Sequence, residues 1–156
     1  MAAHQHSADN NYDVDVLIVG AGPTGLALAA QLSSFGTSFR IIDRQVNRSE
    51  HSRALALQPR TLEALRPFGV SAGLAAAGHP ARGLHLHLPE QTIPVDLSDA
   101  GIEDSEYQHM LFISQSETER ALVSHLSAQG VRVERGAELQ DLERLDPEDP
   151  FAGMEA

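Results

Sequence analysis

The segment of this 156-residue chain best equipped for chemistry is Gly20-Ala21-Gly22-Pro23-Thr24-Gly25. Its three glycines have separate tasks. Gly20 permits a tight turn, Gly22 lets a pyrophosphate approach the backbone, and Gly25 lets a helix pack closely on a sheet. Free N–H groups at a helix start, reinforced by the helix dipole, attract phosphate charge. Asp43 follows about 20 residues later, where a carboxylate can accept from a ribose hydroxyl. The same carboxylate repels a ribose 2′-phosphate, so the pattern favours FAD or NAD over NADP. Arg44 comes next, and it either contacts the adenosine and its phosphates or faces solvent at a strand end. The competing reading of the whole segment is a glycine-rich turn that holds nothing.

Such a motif works only if a strand precedes it, a helix follows it and a second strand ends in the acid. All three are visible. Val14, Val16, Leu17, Ile18 and Val19 form a short β-branched run, as a buried strand would. Pro23 suits the first turn of a helix, and Leu28, Leu32 and Phe35 recur at helical spacing before Gly36. Phe39, Ile41 and Ile42 give a second strand closed by Asp43. Further on, Pro59 opens a helix through Leu62 and Leu65, and residues 71–78 suit a short helix. Leu84, Leu86 and Leu88 alternate with His85 and His87, and Ile93, Val95 and Leu97 alternate in turn, which predicts a hairpin across Pro89–Gln91. Met110–Ile113 reads as a strand, Ser114 to Gln129 as a helix capped by Gly130, and Val131 with Val133 as a strand. Leu139, Leu142 and Leu145 suit the start of another.

Three units are expected: a loose tail over residues 1–12, a nucleotide-binding unit over 13–145, and a solvated acidic tail over 146–156. Composition narrows the chemistry. Apolar residues make up 42%, enough for a core. All 11 basic residues are Arg, so a Walker phosphate loop and a Schiff-base lysine are excluded. A net charge of −11 argues against a nucleic-acid partner. Without Cys there is no disulfide, thiolate metal site or cysteine nucleophile. His85 and His87 share a strand face, but no third ligand accompanies them and no metal is expected. No apolar run is long enough to span a bilayer and no leader is visible, so the expectation is a soluble cytoplasmic protein without membrane contact.

Beyond the fingerprint, Asp43-Arg44, Ser52-Arg53-Ala54, Arg60-Thr61-Leu62-Glu63 and Gln115 followed by Glu119 resemble the flavin-dependent aromatic hydroxylases. These are the single-component FAD monooxygenases typified by p-hydroxybenzoate and phenol hydroxylases. The resemblance runs from about Asp13 to about Glu143. It implies an α/β fold: a Rossmann-like FAD-binding parallel sheet with the beginning of a β-rich substrate layer at about 80–113, incomplete. It implies that Arg53 approaches the FAD pyrophosphate and flavin edge, a site suited to a forked guanidinium. It implies that Gln115 hydrogen-bonds the cofactor near its ribityl and phosphate portion. It also implies NAD(P)H as reductant of the flavin, and O2 with an aromatic small molecule as the substrates. No individual catalytic residue is identified.

Members of that family carry two further motifs, an Asp-Gly pair and a Gly-Asp pair. Neither dipeptide occurs here. The expectation is therefore the N-terminal part of a hydroxylase, as a truncated product, a wrongly delimited gene or a remnant, with a second chain as one way to complete the fold. Two rivals stay open: a non-catalytic remnant or interaction protein that keeps the fold, and an NAD-dependent dehydrogenase fragment.

Overall fold

A computed structural model describes residues 14–47, 56–97, 104–149 and 153–155. The expected tail at 1–12 and Arg53 lie outside the described residues. In chain order the first elements are β1 (Val16–Val19), α1 (Pro23–Phe35), β2 (Phe39–Asp43), β3 (Ala56–Leu57) and α2 (Pro59–Leu65). A 3-10 turn at Arg66–Phe68 leads to α3 (Ser71–Ala77), β4 (His79–Pro80), β5 (Gly83–His87) and β6 (Thr92–Asp96). Then come β7 (Leu111–Phe112), α4 (Gln115–Ala128), β8 (Glu134–Arg135), β9 (Glu143–Arg144) and β10 (Met154–Glu155).

The fold is α/β. β1 and β2 pair in parallel, from Val16 opposite Phe39 to Val19 opposite Ile42. β8 joins the far side of β2, also parallel, with Asp43 opposite Arg135. β2 is thus central, and β1 is an edge among the described residues. Helices α1 and α4 pack together over one face. Leu26, Ala29 and Ala30 of α1 are fully buried with Leu122 and Leu126 of α4, above Ile18 and Ile41 of the sheet.

This corrects the stripe read from the sequence. Leu28 and Phe35 are exposed, Leu32 packs partly buried against the core as expected, and the fully buried residues of α1 are Leu26, Ala29 and Ala30. The cause is proximity. A Cβ at Gly25 would collide with the backbone oxygen of Gly20, so the helix lies against the loop and sheet, and alanines fill the narrow space.

Beyond the parallel sheet, β3, β7 and β4 form a short antiparallel sheet in that order. β5 and β6 form a hairpin in which Leu84 faces Val95 and Leu86 faces Ile93. Those four side chains are exposed. The predicted strand at Val131 and Val133 is shifted: ladder pairing begins only at Glu134. The segment read as an acidic tail carries β10, which pairs antiparallel with β9. Asp146 accepts from the Glu148 N–H at 2.9 Å, and the Leu145 N–H donates to Gly153 at 2.9 Å, while residues 142–149 stay exposed.

Candidate functional site

The carboxyl ends of β1, β2 and β8 open onto a cleft of about 440 Å³. In open parallel sheets this is where ligands bind. The glycine loop forms one wall. Gly20 has φ +103°, a left-handed conformation that side chains disfavour, and its N–H donates to Ile42 at 2.8 Å. Gly22 precedes α1 with φ −76° and makes no side-chain cap. Pro23 is the first helical residue, followed by Thr24 and Gly25, so amides at this helix start remain available to an anion. A Cβ at Gly22 would meet nothing within 4 Å. The Gly22 position is therefore open for a ligand and not needed for packing, whereas Gly25 is needed for packing.

Asp43 ends β2 and is tied into the cleft by three contacts. Its Oδ2 accepts from the Ala21 N–H at 2.7 Å, and its Oδ1 from the Gln45 N–H at 2.8 Å. Arg135 reaches the same Oδ2 at 3.3 Å, with side-chain exposures of only 21% for Arg135 and 14% for Asp43. Arg44 lines the cleft with a largely exposed side chain and a loose ion pair to Glu138 at 3.7 Å. The opposite wall comes from the start of α4. Ser114 caps that helix, and its Oγ accepts weakly from the Glu117 N–H at 3.4 Å. The cap places Gln115 at the cleft, where its Nε2 donates to Glu119 Oε1 at 2.7 Å. Glu119 is 4% exposed, a buried carboxylate satisfied through that amide.

The structure thus gathers Gly20, Gly22, Asp43, Arg44 and Gln115 around one cleft, with Pro23, Thr24 and Gly25 opening the adjoining helix. Arg53 is outside the described residues. Sequence reading missed Arg135 and the backbone that follows it at Ala137 and Leu139. The available signal was position: Arg135 ends a parallel strand beside a left-handed glycine, Gly136, with φ +74°. His85 and His87 lie on the exposed hairpin with rings 6.4 Å apart. Among the described residues no group of three metal-ligating side chains occurs, and no helix is long and apolar enough to cross a membrane.

The residues present suit a dinucleotide. The space above Gly22, the open amides at the helix start and the ribose-type carboxylate lie in one cleft, as a pyrophosphate with an attached adenosine requires.

Comparison with known proteins specifies which dinucleotide. The family model described as an FAD binding domain matches residues 13–149. The chain is 41% identical over 127 residues to 6-methylpretetramide 4-monooxygenase of Streptomyces rimosus, covering 81% of this chain and 23% of that protein. It is 34% identical over 116 residues to pentachlorophenol 4-monooxygenase of Sphingobium chlorophenolicum, covering 74% and 21%. Among solved structures, aklavinone-11 hydroxylase in complex with FAD and aklavinone aligns with a TM-score of 0.76 and 26% identity, over 93% of this chain and 29% of that one. The chain therefore spans about a quarter of the length of the curated relatives it matches. The matched span, with the cleft it contains, shows that this chain belongs to the FAD binding domain family, and it is similar to aromatic-compound monooxygenases.

Proposed function

We propose that the cleft binds the adenosine-diphosphate half of FAD, as part of an NAD(P)H-dependent monooxygenase that hydroxylates an aromatic small molecule with O2. The observation that carries this reading is the open space over Gly22, facing the first amides of α1 and flanked by Asp43. In this reading Gly20, Gly22, Pro23, Thr24 and Gly25 present backbone to the pyrophosphate, and Asp43 accepts from the ribose. Arg44 and Arg53 supply positive charge, and Gln115 contacts the linker between phosphate and flavin. The bound flavin would supply the redox chemistry, accepting a hydride and passing oxygen from O2 to the ring. The protein residues bind and orient it. Residues 13–145 act as the FAD-binding unit, with the β-rich stretch at about 80–113 as part of a substrate layer. The relatives' names support a polycyclic or substituted phenolic substrate class. Their length leaves room for a second segment or chain that completes the site. A cytoplasmic setting suits a nicotinamide reductant.

Titration of the 156-residue chain with FAD, ADP and FMN tests the binding half of this proposal. FAD and ADP should compete for one site, with FAD at least as tight as ADP. FMN, which lacks the adenosine, should compete poorly. If neither FAD nor ADP saturates a site at millimolar concentration, the reading is wrong.

A further inference from the structure

We infer that Arg135 is a positioning residue for the nucleotide: it holds the Asp43 carboxylate in the orientation that receives the ribose. The inference rests on reading the cleft as an adenosine site. It starts from register. Arg135 sits opposite Asp43 on adjacent parallel strands, and the Ala137 N–H donates to the Asp43 carbonyl at 3.2 Å, so the two backbones are fixed relative to each other. The side chains then meet at 3.3 Å, both mostly shielded from water. That shielding sets this pair apart from Arg44–Glu138, which is longer and well exposed. Charge pairs shielded from solvent are screened less, and they fix geometry better than surface pairs.

An ionised carboxylate offers about four acceptor directions. Two are taken here, by the Ala21 N–H and the Gln45 N–H, and Arg135 adds a charge contact on Oδ2. Acceptor capacity is left for a ligand hydroxyl. Without Arg135 the carboxylate would keep its two backbone donors but lose the charged partner on Oδ2.

Strand pairing alone does not require Arg135. Arg40 already grips Glu134 across β2 and β8 with two bonds, Nε to Oε1 at 2.9 Å and Nη2 to Oε2 at 2.7 Å. Glu134 and Arg135 are neighbours on one strand, so they project to opposite faces. The sheet lock is on one face and the cleft contact on the other.

The test uses ADP and 2′,3′-dideoxy-ADP with the parent chain, Arg135→Gln and Arg135→Lys, and far-UV circular dichroism as a check of folding. If Arg135 acts through the ribose contact of Asp43, Arg135→Gln weakens ADP by about tenfold, the loss of one charge-assisted contact. It leaves dideoxy-ADP within about twofold of the parent, and Arg135→Lys recovers most of the ADP loss. Equal losses for both nucleotides, or no loss for either, overturn the inference while leaving the cleft's nucleotide reading intact. A parent chain that binds no ADP overturns that reading, and this inference with it. Should Arg135→Gln fail to fold, Arg135→Met, which keeps the aliphatic bulk without the charge, carries the test: a selective loss of ADP supports the role, and an equal or absent loss refutes it.

Discussion

Gly22 and Gly25 belong to one hexapeptide, yet Ala at the two positions should fail in different assays. At Gly25 the added Cβ would strike the backbone oxygen of Gly20 and press on Ile18 Cγ2. Overpacking of this kind costs about 1–3 kcal/mol, and a backbone oxygen that cannot rotate aside puts the cost at the upper end. Removing a glycine from a helix returns about 1 kcal/mol. The net loss is about 2 kcal/mol, which for a chain of this size lowers Tm by about 4–8 °C. At Gly22 the added Cβ meets nothing within 4 Å, and φ is −76°, which alanine adopts freely. Alanine is a poorer helix cap than glycine, but it restricts the unfolded chain, and the two effects of about 0.5–1 kcal/mol nearly cancel. Gly22→Ala should therefore melt within about 2 °C of the parent. Its defect should appear on titration with ADP. A methyl in the phosphate path that displaces one charge-assisted hydrogen bond weakens binding by about 10–100-fold. Thermal melts followed by circular dichroism, and nucleotide titrations by calorimetry, read the two quantities separately. If Gly22→Ala destabilises as much as Gly25→Ala, or binds ADP like the parent, the assignment of the open space to a phosphate is refuted.

Two further outcomes follow from named contacts. The hydrogen bonds from Arg40, and its charge, hold the Glu134 carboxyl below its ordinary range; a lowered folded-state pKa adds stability at higher pH that is lost as pH falls through it, so the gap in urea midpoint between parent and Glu134→Gln should close toward the acid end of a pH series, and a constant gap would refute the pairing. In parallel β1, Val16 and Gly20 donate to β2 at Ser38 and Ile42, so the alternate amides of Leu17 and Val19 point to the unpaired side; hydrogen exchange should be fast at Leu17 and Val19 and slow at Ile18, and a monomer with Leu17 protected like Ile18 would show that side to be covered.

The motif was legible because its physics is local. A β-branched run, three glycines with a proline after the second, and an acid closing the next strand each dictate a conformation within a few residues, and β1, α1 and β2 formed as read. Ser114 and Gly130 bounded α4 for the same reason, as a cap and a left-handed exit at φ +82°. What escaped was set by tertiary geometry. Leu28 and Phe35 have the helical spacing of a buried stripe, but the helix turns Leu26, Ala29 and Ala30 inward, with Gly25 at its close approach to the loop, a choice that hydrophobicity does not encode. Arg135 carries no local signal because its partner lies 92 positions earlier in the chain, and only the β2–β8 register brings the two together. β4 and β10, two residues each, carry too little pattern to be seen before their partners are known.

Asp43 joins these two levels. Its place at a strand end is written in the sequence, but its work depends on what converges on it: the glycine loop through Ala21, the following loop through Gln45, and β8 through Arg135. Each contact ties a different segment to one carboxylate, so a change at any of them should be felt at the others, and double-mutant coupling is the natural measure. The sheet adds a second consequence. In doubly wound sheets the ligand crosses the carboxyl end of the first strand, at the point where strand order reverses. Here β2 and β8 lie on one side of β1, and among the described residues no strand pairs with the other. The contacts among Ala21, Asp43, Gln45 and Arg135 lie at the occupied side, where a pyrophosphate and its adenosine would sit. This one-sidedness is why ADP, the smaller ligand, is the more direct probe of the residues in this chain.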